Sequence, residues 1–453
     1  MEKLGLNEIA KAVSAEYCGD IFISSVCTDT RKIKAGCLFI AIEGERFDGH
    51  SFIPQAFEKG AAAVISHKEV DCSGAVLKVE NTRKAYLDLA GYYRDKFDIP
   101  LIGLTGSVGK TTTKEFVALA MSAKYKTLKT EGNLNNDIGM PEMLLRLDSS
   151  YEAAVIEMGM NHFGEIHNLV TRSKPTMGII TNIGVSHIEN LGSRNGILKA
   201  KLELLDGLKE GAPLIVNGDD DKLSTVSLDS RKVYFFGIDN DRSDFRASDI
   251  HQTAVNTEFI INWGEGSQRI EIPTIGIHNV YNALAAFAAA YLNGVSPEKI
   301  AEALKKYVPS GMRQRVVNCG DFTVIEDCYN ASPDSMKASI IALSGIEGGK
   351  KIAVLADMLE LGDYSVEAHR EIGKFAADKG VNVVLAYGSF AEEYSKAAKK
   401  AGVKAQLFDD KALLLEALLG EIEKGSVILF KGSHGMHLEE TIKALYERKG
   451  ING

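Results

Sequence analysis

The sequence predicts an α/β protein of three domains: a small N-terminal α/β domain, a central domain built on a mostly parallel sheet, and a C-terminal doubly wound sheet. Three observations lead there. At 453 residues the chain has room for about three domains of ~150 residues each. Short apolar runs alternate with helical segments along nearly its whole length, without repeats or low-complexity tracts. The segment LIGLTGSVGKTTTKEF then sets a glycine-rich loop directly between an apolar strand and a helix.

In the first domain, from Val26 to Asn81, the runs CLFIAI, AAAVIS and AVLKV alternate with the polar GERFDGH and the helix FIPQAFEKG. The helical RKAYLDLAGYYRDKF leads past Pro100 into LIGLTG, so the first boundary is placed at Thr82, giving an N-terminal domain of 1–81. Strand–loop–helix alternation continues to Gly311 and defines a central domain of 82–311. The third, 312–453, opens with FTVIEDC and continues with KIAVLAD, VNVVLAYG and SVILFKG, each followed by a helix, a Rossmann-like parallel pattern. It carries no GxGxxG fingerprint, so dinucleotide binding gains no support.

Composition excludes several classes. The start, MEKLGLNEIAKAV, has a polar helical pattern and no basic, then apolar, leader, so a cytoplasmic protein is expected. The most apolar stretch, NALAAFAAAYL, falls short of the ~20 residues that span a bilayer and reads as a buried helix. Cys18, Cys27, Cys37, Cys72, Cys319 and Cys328 are scattered without a CxxC pair and read as free, mostly buried thiols. A net charge of −9 without a basic run removes the footprint of nucleic-acid binding, so a phosphate ligand must be held by a local site. A monomer is expected.

That local site begins at Thr105, Gly106, Ser107, Val108, Gly109, Lys110, Thr111 and Thr112. Backbone N–H groups from Gly106 to Lys110 are expected to face a phosphate, Lys110 to bridge the β- and γ-oxygens of ATP, and Thr111 to offer its hydroxyl to Mg2+. The spacing departs from GxxxxGK, because Leu104 takes the first glycine position and Gly103 is the nearest glycine. The strand YEAAVIEMG ends in Glu157, a candidate metal carboxylate, and MGIITNIGVSH ends in His187, which reaches the same cleft if the two strands are close. In RNGILKAKLELLDGL, a helical step puts Lys201 on the stripe of Ile197, Leu198, Leu202, Leu204, Leu205 and Leu208, and leaves Lys199 outside it. Lys201 is either a buried amine of lowered pKa, open to reaction with CO2, or a snorkelling side chain lining the stripe.

Taken together, TGSVGKTTTKE, EGNLNNDIGMP, VIEMGMNHFGEI, NIGVSHIENLGS with KAKLEL, GIHNVYNALAA, GMRQRV, DCYNASPDSMKA, ADMLELG and FKGSHGMHLE resemble the Mur ligase family in order and spacing. The resemblance implies an ATP- and Mg2+-dependent ligase that activates a carboxylate as an acyl-phosphate. With the N-terminal block TDTRKIKAGCLFIAIEGERFDGH, it implies UDP-N-acetylmuramoyl-tripeptide and D-alanyl-D-alanine as substrates. It further implies catalytic roles for Lys110, His187, Lys201 and Arg313, with Lys201 carbamylated, and metal contacts from Thr111, Glu157, His187 and Lys201. Asn282 would contact adenine, Arg313 the γ-phosphate and Asp327 the ribose. Thr30, Arg31 and the loop Gly44, Glu45, Arg46, Phe47, Asp48, Gly49, His50 would form the uridine-diphosphate side, with Asn330 and Lys431 also on the substrate. One departure stands out: the family's KGSR block reads Lys431-Gly432-Ser433-His434 here.

Three rivals remain. A sister amino-acid ligase or folylpolyglutamate synthetase would share the ATP site, a phosphate-loop kinase would form no amide, and an inactive UDP-sugar-binding protein would have no need of Lys110, Thr111, Glu157 and His187 together.

Overall fold

Three parallel or mostly parallel sheets follow one another along the chain, each formed where apolar runs are buried on both faces. The computed structural model describes residues 1–44, 47–253, 255–264, 266–309 and 311–451. Glu45 and Arg46, expected at the uridine-diphosphate loop, lie outside the described residues.

The N-terminal sheet runs Ser25–Cys27, Cys37–Ile40, Ala61–Ser66, Ala75–Lys78, all parallel. The helix Thr82–Arg94 follows, its first turn capped by the Asn81 side chain accepting from Lys84 N–H. It is fastened to the central domain: Tyr93 OH donates to the Leu147 carbonyl at 2.7 Å and Arg94 Nε to that of Ser173 at 3.1 Å.

The central sheet has nine strands, ordered Thr127–Lys129, Ala153–Glu157, Leu101–Thr105, Met177–Ile180, Leu214–Asn217, Val233–Gly237, Phe245–Gln252, Thr257–Trp263, Gly266–Ile272. Only the last two pairings, those of Thr257–Trp263 with Phe245–Gln252 and with Gly266–Ile272, are antiparallel. The Ala-rich stretch is, as expected, a buried helix, Ile277–Leu292, packed against Lys110–Met121.

The C-terminal sheet runs Arg315–Asn318, Phe322–Asp327, Ser426–Lys431, Lys351–Ala356, Val383–Tyr387, Lys404–Phe408. It opens one strand before FTVIEDC, because RVVN is an antiparallel edge strand too polar and exposed to register as an apolar run. The helix expected over RNGILKAKLELLDGL also differs. It stops at Leu202 and tightens into a 3-10 turn over Glu203–Asp206, where Glu203 accepts the Gly164 and His167 N–H groups that open the neighbouring helix. Of the six cysteines only Cys37 and Cys328 are buried, fewer than expected, because the others sit near strand ends and loops.

Candidate active site

Leu101–Thr105 lies between Ala153–Glu157 and Met177–Ile180, with Leu104 beside Glu157 and Thr105 beside Ile180. The carboxyl ends of these strands therefore deliver the phosphate loop, Glu157 and the segment 181–187 to one place, where open parallel sheets bind ligands.

Neighbouring backbone braces the loop. Ser107 N–H donates to the Asn182 carbonyl at 3.1 Å and Val108 N–H to Asn182 Oδ1 at 2.9 Å, while Thr181 Oγ1 and Asn182 Nδ2 donate to the Val108 carbonyl. Two of the N–H groups expected to face a phosphate are thus spent on Asn182. Those of Gly109, Lys110, Thr111 and Thr112 meet no acceptor among the described residues and stand at the positive end of Lys110–Met121. Gly109 has φ +82°, and a Cβ there would lie 2.8 Å from Asn282 Oδ1; a Cβ on Gly106 would lie 1.8 Å from Thr181 Oγ1. Thr105 sits fully buried beneath the loop.

Charge is unbalanced around this loop. Glu157 is 1% exposed; its Oε1 accepts from Asn135 Nδ2 at 2.8 Å and Thr111 Oγ1 at 3.3 Å, but Oε2 is buried without a partner. Lys110 folds its ammonium back onto the Gly106 and Ser107 carbonyls, at 2.9 and 3.4 Å, and forms no ion pair among the described residues. Burial lowers its pKa, Glu157 opposes that shift, and Arg313 adds to it. Arg313 has no carboxylate partner among the described residues and stacks 3.9 Å over the Tyr329 ring, which His434 meets from a parallel plane at a 5.8 Å centroid distance. The histidine at the departure from the KGSR pattern thus joins an aromatic stack.

Lys201 is 2% exposed and makes no hydrogen bond or ion pair among the described residues, so the inward reading holds. Burial first, and Lys110 second, hold its pKa well below that of an ordinary lysine. His187, at φ +63°, is pushed down to about 4 by burial, then by Lys110 and Lys201. A histidine with a depressed folded pKa contributes stability that is fully present above ~6.5 and is lost as pH falls through about 4. In a chelator, His187→Gln is therefore expected to flatten the slope of unfolding free energy over that window by on the order of 2 kcal/mol; equal slopes in urea titrations of both proteins would refute it.

At the C-terminal domain, Asp327 and Lys431 face each other. Asp327 Oδ2 takes Lys431 Nζ at 2.9 Å and Ser339 Oγ at 2.5 Å, and Lys431 also donates to the Asn330 carbonyl at 2.9 Å. Asn282 offers an amide already bonded at both ends, to Thr113 Oγ1 at 2.9 Å and Asn279 Oδ1 at 3.0 Å. Beside it, Gln314 Oε1 joins His278 Nε2 and Asn279 Nδ2 across the domain boundary, leaving His278 Nδ1 and Gln314 Nε2 buried without partners. Sequence reasoning missed the Asn182 brace, Asn135 and the His278–Asn279–Gln314 cluster; all five residues stood inside quoted motifs, but without roles.

A cavity of about 1030 Å3 gathers these groups, running from Asn81 and Arg83 through the phosphate loop to Arg313, Lys431 and His434. Ser107 to Thr112, Glu157, His187, Asn282, Asp327 and Asn330 also line it. Thr105, Gly106 and Lys201 lie behind its wall, and Thr30, Arg31, Gly44 and 47–50 lie outside it. Arg31 is exposed and paired with Asp29, while Arg83 links the two regions through Asp137 at 2.8 Å.

The chain matches the Mur ligase family catalytic domain over residues 22–93, the Mur ligase middle domain over 104–290, and the Mur ligase glutamate ligase domain over 312–434. It is 42% identical over 432 residues to UDP-N-acetylmuramoyl-tripeptide–D-alanyl-D-alanine ligase of Bacillus subtilis, covering 94% of this chain and 93% of the relative. A crystal structure of MurF from Acinetobacter baumannii superposes with a TM-score of 0.93 at 32% identity over 99% of both chains. The MurF ligase of Thermotoga maritima in complex with ADP superposes at 0.86 with 27% identity, covering 94% and 98%. Among the described residues, no helix is long and apolar enough to cross a membrane.

Proposed function

The chain belongs to the Mur ligase family, and from this we infer that it is the ATP-dependent ligase that joins D-alanyl-D-alanine to UDP-N-acetylmuramoyl-tripeptide in peptidoglycan precursor synthesis. The observation that carries this reading is the set of cations without carboxylate partners, Lys110 and Arg313, facing the phosphate loop at a domain junction. ATP and the tripeptide are both anionic at their reacting ends, so a γ-phosphate reaches a carboxylate only where fixed positive charge cancels their repulsion.

The donor set also fits Mg2+. A buried, unpartnered Glu157 Oε2, the Thr111 hydroxyl and the neutral His187 ring are oxygen and nitrogen ligands gathered at a phosphate site. Such an ion would offset charge on the transferring phosphoryl group. Lys201, as a neutral amine, can take up CO2 by forming an N–C bond and releasing a proton, which would give a carboxylate facing the same region.

Lys110 and the free N–H groups of Gly109 to Thr112 would hold the ATP phosphates, and Arg313 would bear on the γ-phosphate. Transfer to the tripeptide carboxylate gives an acyl-phosphate; attack by the dipeptide amine forms the amide and expels phosphate. Thr30, Arg31 and the loop from Gly44 to His50 would hold the uridine diphosphate. The division at Thr82 and Met312 belongs to the same reading, supported by the bonds that fasten Thr82–Arg94 to the central domain.

Phosphate release from ATP, measured with UDP-N-acetylmuramoyl-tripeptide and with or without D-alanyl-D-alanine, tests this directly. Dipeptide-dependent release with a pentapeptide product by mass spectrometry is expected. Release that responds only to a single amino acid or a folate would move the chain to a sister ligase, and release without an amide product would leave a kinase.

A further inference from the structure

Outside the phosphate-loop cavity, beside the loop read above as the uridine-diphosphate side, the N-terminal domain gathers a second cluster of chemistry-bearing side chains. Cys37–Ile40 and Ala61–Ser66 are parallel neighbours, so Glu43 and His67, just beyond their carboxyl ends, lie close together. The chain after Glu43 turns back at once: Gly44 N–H donates to the Phe47 carbonyl at 2.9 Å, and Glu43 pairs with Asp48 as an isolated bridge. That turn returns His50 to the same spot. One ligand-capable atom from each of Glu43, His50 and His67 falls within 4.8 Å of the others. The imidazoles meet edge to face at 4.2 Å, and His67 Nε2 lies 3.4 Å from Glu43 Oε2.

His50 carries the argument further. Its side chain is only 7% exposed, and its Nδ1 lies 2.6 Å from Asp48 Oδ1. Asp48 is itself held in place by Lys68 Nζ at 2.7 Å and by the His50 backbone N–H at 3.0 Å, so its carboxylate fixes the His50 ring through Nδ1. The ring Nε2 is buried and meets no hydrogen-bond partner among the described residues. A carboxylate holding one ring nitrogen while the other is left without a partner is the usual support of a metal-bound histidine. Lys68 also faces the cluster, 2.7 Å from Asp48 and 3.3 Å from Glu43, and Arg83, paired with Asp137 at 2.8 Å, reaches the Glu43 carbonyl at 3.4 Å.

We propose that Glu43, His50 and His67 form a binding site for a divalent transition metal of the Zn2+ or Co2+ class. Two imidazoles and one carboxylate suit such ions, whereas Mg2+ prefers oxygen ligands. With three protein ligands, coordination positions remain open to water or another oxygen ligand. The ion ties the two ends of the loop to each other and to the strand Ala61–Ser66.

Co2+ titrated into the full chain in excess Mg2+, followed by visible absorption, is the test. One saturable band that Zn2+ competes away is expected. His67→Ala, or His67→Gln if the alanine variant unfolds earlier without metal, should abolish it, and Asp48→Asn should weaken it roughly 10–100-fold. Glu157→Gln should leave it unchanged. Absence of a saturable band overturns the proposal, as does a band that survives both His67 variants or disappears with Glu157→Gln, which would assign the ion to the central cleft.

Discussion

Lys201→Met is expected to unfold at a higher temperature than the parent while ligation slows by at least about 10²-fold. The two effects have one origin. A lysine 2% exposed with no partner among the described residues gives up its hydration for nothing within the fold, and only its depressed pKa limits the cost. Methionine fills a similar volume without the amine, so a gain of roughly 1–3 kcal/mol follows. The sign of the pH dependence separates this from better packing alone. Because the folded lysine gives up its proton at a lower pH than the unfolded one, the parent gains stability as pH rises toward ~10.5, and the variant should lose that slope. Activity falls because the position is costly and therefore retained for chemistry. Thermal unfolding at two pH values beside steady-state phosphate release checks both halves. A variant that is fully active, or destabilised with an unchanged slope, would overturn the account.

Lys110→Met should cost still more in turnover, at least about 10²–10³-fold in kcat, with little change in folding. Lys110 spends its ammonium on two carbonyls of its own loop, interactions a folded chain can lose cheaply. It is also the charge nearest the free N–H groups of the loop, where the transferring phosphoryl group gains its stabilisation. Rapid-quench measurement of acyl-phosphate formation isolates the step: the defect should appear there and not in aminolysis. An effect confined to the KM for ATP would mean that Lys110 binds nucleotide without aiding transfer.

The sequence showed most of what depends on local pattern. Apolar runs between helices predicted the parallel sheets, and the helical step predicted an inward Lys201, because both are periodicities of a few residues. It did not show Asn182 bracing Val108, nor Gln314 meeting His278, since these contacts join positions far apart in the chain and involve side chains with no periodic signature. The pairing of Asp327 with Lys431 escaped for the same reason, although each stood in a recognised block. The antiparallel extension over Phe245–Ile272 was hidden because strands such as FRASDIHQ alternate polar residues to solvent and leave no apolar run.

The contact between Gly109 and Asn282 has an evolutionary consequence. With φ at +82° and only 2.8 Å between an added Cβ and the Asn282 amide oxygen, position 109 puts any side chain under strain, and the amide it abuts is bonded at both ends. An inhibitor resting on that pair would meet a surface with almost no viable escape substitutions. Resistance selected against it should therefore map elsewhere, to the rim of the cavity or to expression level.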